Sequence, residues 1–165
     1  MDAYSPDAWG APFTAVAGAA AALTGLLFVA LSINLERVVK GAGLVGRAVE
    51  VLVLLVGVLI IAVLLLMPAQ GSATAALEIL TVAVATIAWL AYLHVRAPRR
   101  TLGVTTTNFV MRVTGDHLGP LLLVIGGISL WVGTGGGLYW VVPGLIAAMV
   151  AAVIGAWVLL VEILR

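Results

Sequence analysis

The chain carries little charge and no cysteine. Lys, Arg, Asp and Glu together make up 9% of its 165 residues. Soluble domains usually contain about 25% charged residues, so this composition is too poor in charge for a soluble surface. The absence of cysteine excludes disulfides, thiol chemistry and cysteine-ligated metals. The net charge of +1 argues against nucleic acid as a partner, because phosphate recognition requires a dense basic patch.

Familiar catalytic and cofactor signatures are also missing. The sequence contains no H-E-x-x-H run and no phosphate loop ending in Gly-Lys-Ser/Thr. The stretch from Gly41 to Gly46 satisfies G-x-G-x-x-G, but no strand precedes it and the region about 20 residues downstream is wholly apolar. A dinucleotide site requires that strand and helix context. We therefore predict no catalytic residues, no cofactor and no metal site.

Apolar residues, in contrast, make up 64% of the chain and fall into five long runs. A helix needs about 20 apolar residues to cross a bilayer. The predicted spans are residues 12–35, 48–67, 73–95, 118–135 and 139–164. The fourth run is short and glycine-rich, so a four-span arrangement with residues 118–141 partly re-entrant stays open. The sequence predicts an all-α fold in which residues 1–165 form one transmembrane helical bundle.

The distribution of basic residues predicts the orientation of that bundle. All Lys and Arg residues fall between spans one and two, between spans three and four, or at the C-terminal residue. The opposite connections carry no charge, and the N-terminal tail carries only Asp2 and Asp7. Cytoplasmic loops are enriched in Lys and Arg. We expect the N-terminus outside, the C-terminus inside, and a bacterial cytoplasmic membrane as the location.

Small residues recur at seven-residue intervals on two of the predicted spans. Such stripes allow helix backbones to approach closely. The proposed packing positions are Ala11, Gly18, Gly25 and Ser32 on span one and Gly119, Gly126 and Gly133 on span four. They would serve packing within the bundle, or span one would face another copy or another membrane protein. Span two is bulky almost all round and is predicted to face lipid.

Glu78 is the most informative single residue, because it lies inside the third span. Thr74 and Thr81 share its helix face. A carboxyl within the membrane is a candidate functional site. A structural acid, an ion or proton path, and a side chain reaching the outer surface are the alternatives. Ser32 and Asn34 near the inner end of span one would extend such a path.

The polar connection between spans three and four is the longest in the chain. Its basic residues Arg96, Arg99 and Arg100 are predicted to contact anionic lipid headgroups. His94 and His117, the latter beside Asp116, bracket this connection at the inner boundary. Ordinary interfacial histidines, a pH sensor and a metal site are the alternatives for this pair.

The run from Ala15 to Arg37, AVAGAAAALTGLLFVALSINLER, resembles the first span of a family of small multi-span membrane proteins frequent in actinobacteria. Some members are described as modulators of the FtsH protease. The resemblance covers about 23 residues. It implies a bacterial inner-membrane setting and a regulatory role.

Three functional hypotheses follow. The first is a non-enzymatic membrane protein whose helices associate with a second copy or with other membrane proteins, which it would regulate or scaffold. The second is a small oligomeric ion channel or transporter with a polar path near Glu78. The third is a membrane enzyme acting on lipid at the inner face through His94, Asp116 and His117. Membrane lipids are expected partners of all three.

Overall fold

The computed structural model describes residues 2–41, 43–96 and 106–164. Over these residues the chain forms six α-helices and no strand, which confirms the all-α prediction. A short 3-10 helix, Pro6–Trp9, precedes the first of them. The helices are α1 (Gly10–Ile33), α2 (Leu35–Lys40), α3 (Leu44–Leu64), α4 (Ser72–Arg96), α5 (Thr106–Val132) and α6 (Leu138–Leu164).

Five of these helices are long and apolar enough to cross a membrane, as predicted. They are α1, α3, α4, α5 and α6. The re-entrant alternative is wrong, because α5 and α6 are continuous helices of 27 residues each. Only the short α2, which follows a break at Asn34, lies outside this set within the described residues. The architecture is that of a multi-pass membrane protein.

Four helices form the centre of the bundle and α1 lies outside them. Helix α3 contacts α4, α4 contacts α5, α5 contacts α6, and α6 contacts α3. We call this closed set the four-helix ring. Helix α1 packs mainly against α3 and touches α6 only lightly. In its most apolar stretch, 11% of α1 residues are buried, against 50% for α3.

The prediction that the second span faces lipid is wrong. Its helix, α3, contributes the largest share of the core, with Leu54, Val58 and Ile61 almost completely buried. Bulky side chains fit there because the neighbouring helices present small residues: Gly155 of α6 approaches Val51 so closely that an added Cβ would lie 2.9 Å from its side chain. Side-chain size therefore did not indicate which span faces lipid.

The fourth span begins earlier than hydropathy indicates. We expected it to start at Leu118, but α5 already begins at Thr106 and runs through Arg112 and Asp116. These polar residues lower the hydropathy of the segment, yet their side chains are largely covered by other helices. Pro120 lies inside α5. Its ring removes one backbone hydrogen bond without ending the helix.

The two ends of the bundle differ in chemistry. At one end, which we call the basic end, lie α2 and the charged residues of α3, α5 and α6. At the opposite end, the backbone N–H of Leu138 donates to the Ala3 carbonyl at 2.9 Å. There Trp9 also meets Tyr139 edge to face, with ring centroids 4.8 Å apart. These two contacts connect the N-terminal segment that precedes α1 to the start of α6.

Candidate functional site

A cluster of buried ionisable side chains occupies the basic end of the four-helix ring. We define the polar cluster as Glu50 of α3, His94 of α4, and Arg112 and Asp116 of α5. Glu50, His94 and Asp116 are each less than 10% exposed. Arg112 and Asp116 are four residues apart and therefore share one face of α5. Three separate helices supply this site, so it exists only in the assembled fold.

Direct contacts connect the members of the polar cluster. Arg112 Nη2 donates to Glu50 Oε1 at 2.9 Å. His94 Nε2 lies 3.3 Å from Asp116 Oδ2 and 3.7 Å from Glu50 Oε1. The imidazole is thus placed between two carboxylates, one of which is already paired with a guanidinium.

Several of these buried atoms are left without hydrogen bonds. Neither ring nitrogen of His94 nor Asp116 Oδ2 has a hydrogen-bond partner within the described residues. Nε2 is close to the Asp116 carboxylate but is not aligned with it as a hydrogen bond requires. Buried polar atoms without partners are costly, because each has lost its hydration. The cluster therefore retains unused binding capacity.

A second ion pair lies next to the cluster. Arg47 of α3 pairs with Glu162 of α6. Together with the polar cluster, this gives three carboxylates against two guanidinium groups, before His94 is counted. These five side chains therefore have a formal net charge of −1 with neutral His94.

A cavity of about 480 Å³ opens beside these charges, between α3, α5 and α6. Glu50, Asp116 and Arg112 line one side of it. Val51, Ile154 and Val158 form an apolar side. The two carboxylates are therefore reachable from this cavity.

Aromatic rings surround His94 on its other sides. The His117 ring centroid lies 5.3 Å away, and that of Phe109 lies 6.2 Å away in an edge-to-face arrangement. The His117 Nδ1 atom is 2.8 Å from the Val113 carbonyl, an acceptor that favours a proton on Nδ1. His94, Asp116 and His117, which the lipid-enzyme hypothesis grouped, do lie together.

The side chains around Glu78 do not form the predicted polar path. Gln70 Nε2 donates to Glu78 Oε2 at 2.6 Å, so the carboxylate is hydrogen-bonded within the chain. Thr74 and Thr81 are both exposed on the outside of α4. The Thr81 hydroxyl donates to the Leu77 carbonyl of its own helix.

Ser32 and Asn34 do not join these residues. They lie at the C-terminal end of α1, at the basic end, whereas Glu78 lies in the second turn of α4, near the opposite end. Ser32 is exposed, and Asn34 Nδ2 donates to the Ala30 carbonyl at 2.9 Å. The described residues therefore form no continuous polar path through these five positions.

The glycines of α5 make close contacts inside the protein. A Cβ added at Gly119 would lie 2.5 Å from the Ala148 backbone nitrogen, and one at Gly126 would lie 2.7 Å from Val141. Gly133 differs, since it has a positive φ of 73° at the end of α5 and no neighbour within 4 Å. It terminates the helix and makes no packing contact.

The corresponding residues of α1 face outward. Ala11, Gly18, Gly25 and Ser32 are all exposed. No atom lies within 4 Å of a Cβ added at Gly18 or Gly25. The buried side of α1 is formed instead by Phe13, Ala20 and Leu27. At 100° per residue, Ala20 lies about 160° around the helix from Gly18.

The predicted lipid-contacting arginines are only partly described. Arg96 is exposed at the end of α4, and its guanidinium lies 4.6 Å from the centroid of the Tyr92 ring. Arg99 and Arg100 lie outside the described residues. An exposed cation stacked on an exposed tyrosine suits the interface between membrane and water.

Sequence reasoning grouped His94 with Asp116 and His117 but did not connect these residues to Glu50 or Arg112. One available signal was the four-residue spacing of Arg112 and Asp116, which indicates a helix where a loop was expected. Another was Glu50, an acid followed by 27 residues without charge, 51–77.

The fold and the site define a class: a polytopic helical membrane protein with a buried ionisable cluster at one end of its bundle. Comparison with known proteins adds no narrower assignment. No family model, no curated protein and no solved structure matches this chain.

Proposed function

We propose that this protein is a non-enzymatic, multi-pass membrane protein that self-associates through the outer face of α1. We define this face as Ala11, Gly18, Gly25 and Ser32. The observation that carries the proposal is that the whole stripe is exposed and lies opposite the side on which α1 packs against the ring. No part of the described chain covers it.

Small residues matter in a bilayer for a physical reason. Lipid tails are as apolar as side chains, so helices gain little hydrophobic free energy by associating. Association depends instead on close packing, which a groove of glycine and alanine permits. Bulky neighbours flank the groove on α1, since Leu26 is 67% exposed and Phe28 is 55% exposed. A second helix can therefore approach the backbone between them.

A second copy of the chain is the partner that best fits this face. All copies share one orientation in the membrane, so two α1 helices related by a two-fold axis run parallel with their glycines at the same depth. The same patch then serves both partners, as in an isologous interface. The seven-residue recurrence of the stripe favours a shallow, left-handed crossing.

The setting we propose is the bacterial cytoplasmic membrane, with the basic end inside. Support comes from the clustering of Lys and Arg in the connections at that end. The chain has no native cysteine, so single cysteines at Thr134 and Lys40 test the orientation. A membrane-impermeant maleimide should label Thr134→Cys in intact cells and label Lys40→Cys only after lysis. The reverse pattern would contradict this orientation.

A scaffolding or regulatory role follows if the associated form presents its basic end to other membrane proteins. The channel hypothesis receives less support. Glu78 is paired with Gln70, and its threonines face away from the ring. A path through Glu78 would therefore need a partner to enclose it.

Native mass spectrometry of the protein in nanodiscs tests the proposal. We expect the wild type to be a dimer and the double variant Gly18→Leu, Gly25→Leu to be a monomer, because leucine fills the groove. Both sites have open space around them, so the variant should fold normally. Ala19→Leu is the matched control, since Ala19 is also exposed on α1 but lies about 100° around the helix from Gly18.

A wild-type monomer would overturn the proposal. So would a dimer that persists in the double variant. A wild-type monomer that co-purifies with a different membrane protein, lost in the double variant, would replace self-association with docking to that protein.

A further inference from the structure

The buried side chains at the basic end of the ring point to a second function, independent of α1. The atoms concerned are His94 Nε2, one carboxylate oxygen of Glu50 and one of Asp116. All three lie within 4.8 Å of one another. From this geometry we propose that Glu50, His94 and Asp116 bind one divalent first-row transition-metal ion such as Zn²⁺.

The spacing of the donor atoms suits such an ion. Zinc binds nitrogen and oxygen ligands at about 2.0–2.2 Å, which places neighbouring ligands of a tetrahedral site about 3.4 Å apart. The measured separations from His94 Nε2 are 3.3 Å to Asp116 Oδ2 and 3.7 Å to Glu50 Oε1. The three ligand atoms lie within 4.8 Å of one another, so rotation of the two carboxylates can bring them around one centre.

The lack of hydrogen-bond partners around His94 supports a metal site independently of the spacing. This residue is 5% exposed, and neither of its ring nitrogens has a hydrogen-bond partner within the described residues. A buried histidine without a hydrogen-bond partner has lost its hydration, and no protein contact offsets that free-energy cost. Its Nε2 atom is directed between two carboxylates, one of which, on Asp116, also has an oxygen without a hydrogen bond. A metal ion would satisfy both atoms at once.

Charge favours a cation at this position. Glu50 and Asp116 carry two negative charges, and Arg112 compensates one of them. Arg112 also orients the Glu50 carboxylate by donating to Oε1 at 2.9 Å. Partners that orient ligand side chains in this way are common around metal sites. The Arg47–Glu162 pair nearby is neutral overall and does not change this balance.

The donor set selects the class of metal. One imidazole and two carboxylates suit Mn²⁺, Fe²⁺, Co²⁺ or Zn²⁺, because Mg²⁺ and Ca²⁺ prefer oxygen ligands alone and Cu(I) prefers sulfur. Glu50 and Asp116 both line the cavity between α3, α5 and α6. That cavity supplies a route by which the ion and a water ligand can enter.

The test uses the full-length protein in nanodiscs after removal of metal with a chelator. Co²⁺ is the probe, because its visible absorption reports on both the number and the type of its ligands. We expect one Co²⁺ per chain, with absorption typical of mixed nitrogen and oxygen ligation. Zn²⁺ should displace it and should raise the unfolding temperature of the wild type.

His94→Gln and Asp116→Asn should each lower the affinity by at least about 100-fold, because loss of a supporting partner alone costs about 10- to 100-fold. His117→Gln is the matched control, as it removes the neighbouring imidazole and leaves the three ligands intact. Glu78→Gln controls for other acids in the membrane. Both controls should bind Co²⁺ as the wild type does.

The proposal is overturned if the wild type binds no Co²⁺, or if His94→Gln binds it as tightly as the wild type. If His94→Gln fails to fold, nitrogen ligation that persists in His117→Gln still assigns the ligand to His94, because the sequence contains two histidines. Wild-type binding with an all-oxygen spectrum would also contradict it.

Discussion

The four-helix ring and the peripheral pair α1–α2 contain the same kinds of features in opposite surroundings. The ring has glycines in close contact with a neighbouring backbone, whereas the glycines of α1 meet nothing within 4 Å. The ring also has a buried ion pair, Arg112–Glu50, whereas α2 has an exposed one, Lys40–Glu36. Both motifs therefore occur inside the ring and outside it.

This contrast shows that a motif alone does not determine its energetic value. A glycine stripe indicates that close approach is possible but does not identify the approaching helix. An ion pair stabilises strongly or weakly according to how far water is excluded from it. The four predictions below compare ring and periphery, in order of decreasing effect.

Removing one partner of the buried ion pair should have the largest effect. Arg112→Ala leaves Glu50 buried without its guanidinium, and such losses typically cost about 3–5 kcal/mol. The free energy of unfolding, measured by denaturant titration in detergent micelles, checks this. A loss below about 1 kcal/mol would mean that the pair is far more hydrated than its burial indicates.

Adding a methyl group inside the ring should have the next largest effect. The Cβ of Gly119→Ala would meet the Ala148 backbone at 2.5 Å, which forces α5 and α6 apart. Overpacking of this kind typically costs about 1–3 kcal/mol. Thermal unfolding of the monomeric protein in detergent measures it. Unchanged stability would show that the two helices separate easily, against the close packing described above.

The same glycine-to-alanine substitution on α1 should raise the free energy of unfolding slightly or leave it unchanged. Gly25→Ala meets open space. Alanine is also the better helix former, by up to about 1 kcal/mol. The unfolding free energy of the monomer should therefore stay constant or rise by no more than that amount. Destabilisation comparable to that of Gly119→Ala would erase the difference between the two regions.

The exposed ion pair of α2 should contribute least. Lys40 and Glu36 are 74% and 80% exposed in their side chains. Pairs four residues apart on a helix surface contribute about 0.3–0.5 kcal/mol, and salt screens them. Lys40→Ala should change the unfolding free energy by no more than this, and less still at high ionic strength. A change above about 1 kcal/mol would indicate a contact beyond Glu36.

Hydropathy was sufficient to predict the number of membrane-length helices, because each span must satisfy its own backbone and present an apolar surface. It failed at the start of α5. There Arg112 and Asp116 find partners on other helices, so a segment of low hydropathy remains helical and buried. The partners that make this burial possible are distant in sequence, so a hydropathy average over neighbouring residues cannot detect them.

Local sequence also failed to predict which helix is buried and which acid belongs to the candidate site. Its bulky side chains predicted that α3 would face lipid, yet they occupy the centre, where Gly155 of α6 lies close to Val51. Glu78 was predicted as a candidate site because it is an isolated acid within a span, but Gln70, which precedes α4, donates a hydrogen bond to it. Glu50, with no local partner, depends on α4 and α5.

Disulfide crosslinking in native membranes tests most directly whether the outer face of α1 is an interface. Because the chain has no cysteine of its own, single cysteines at Gly18 and Gly25 can be compared with one at Val150, which is exposed on α6. We predict that mild oxidation links Gly18→Cys and Gly25→Cys into covalent dimers and leaves Val150→Cys monomeric. Equal crosslinking at all three positions, or none at Gly18 and Gly25, would contradict self-association through α1.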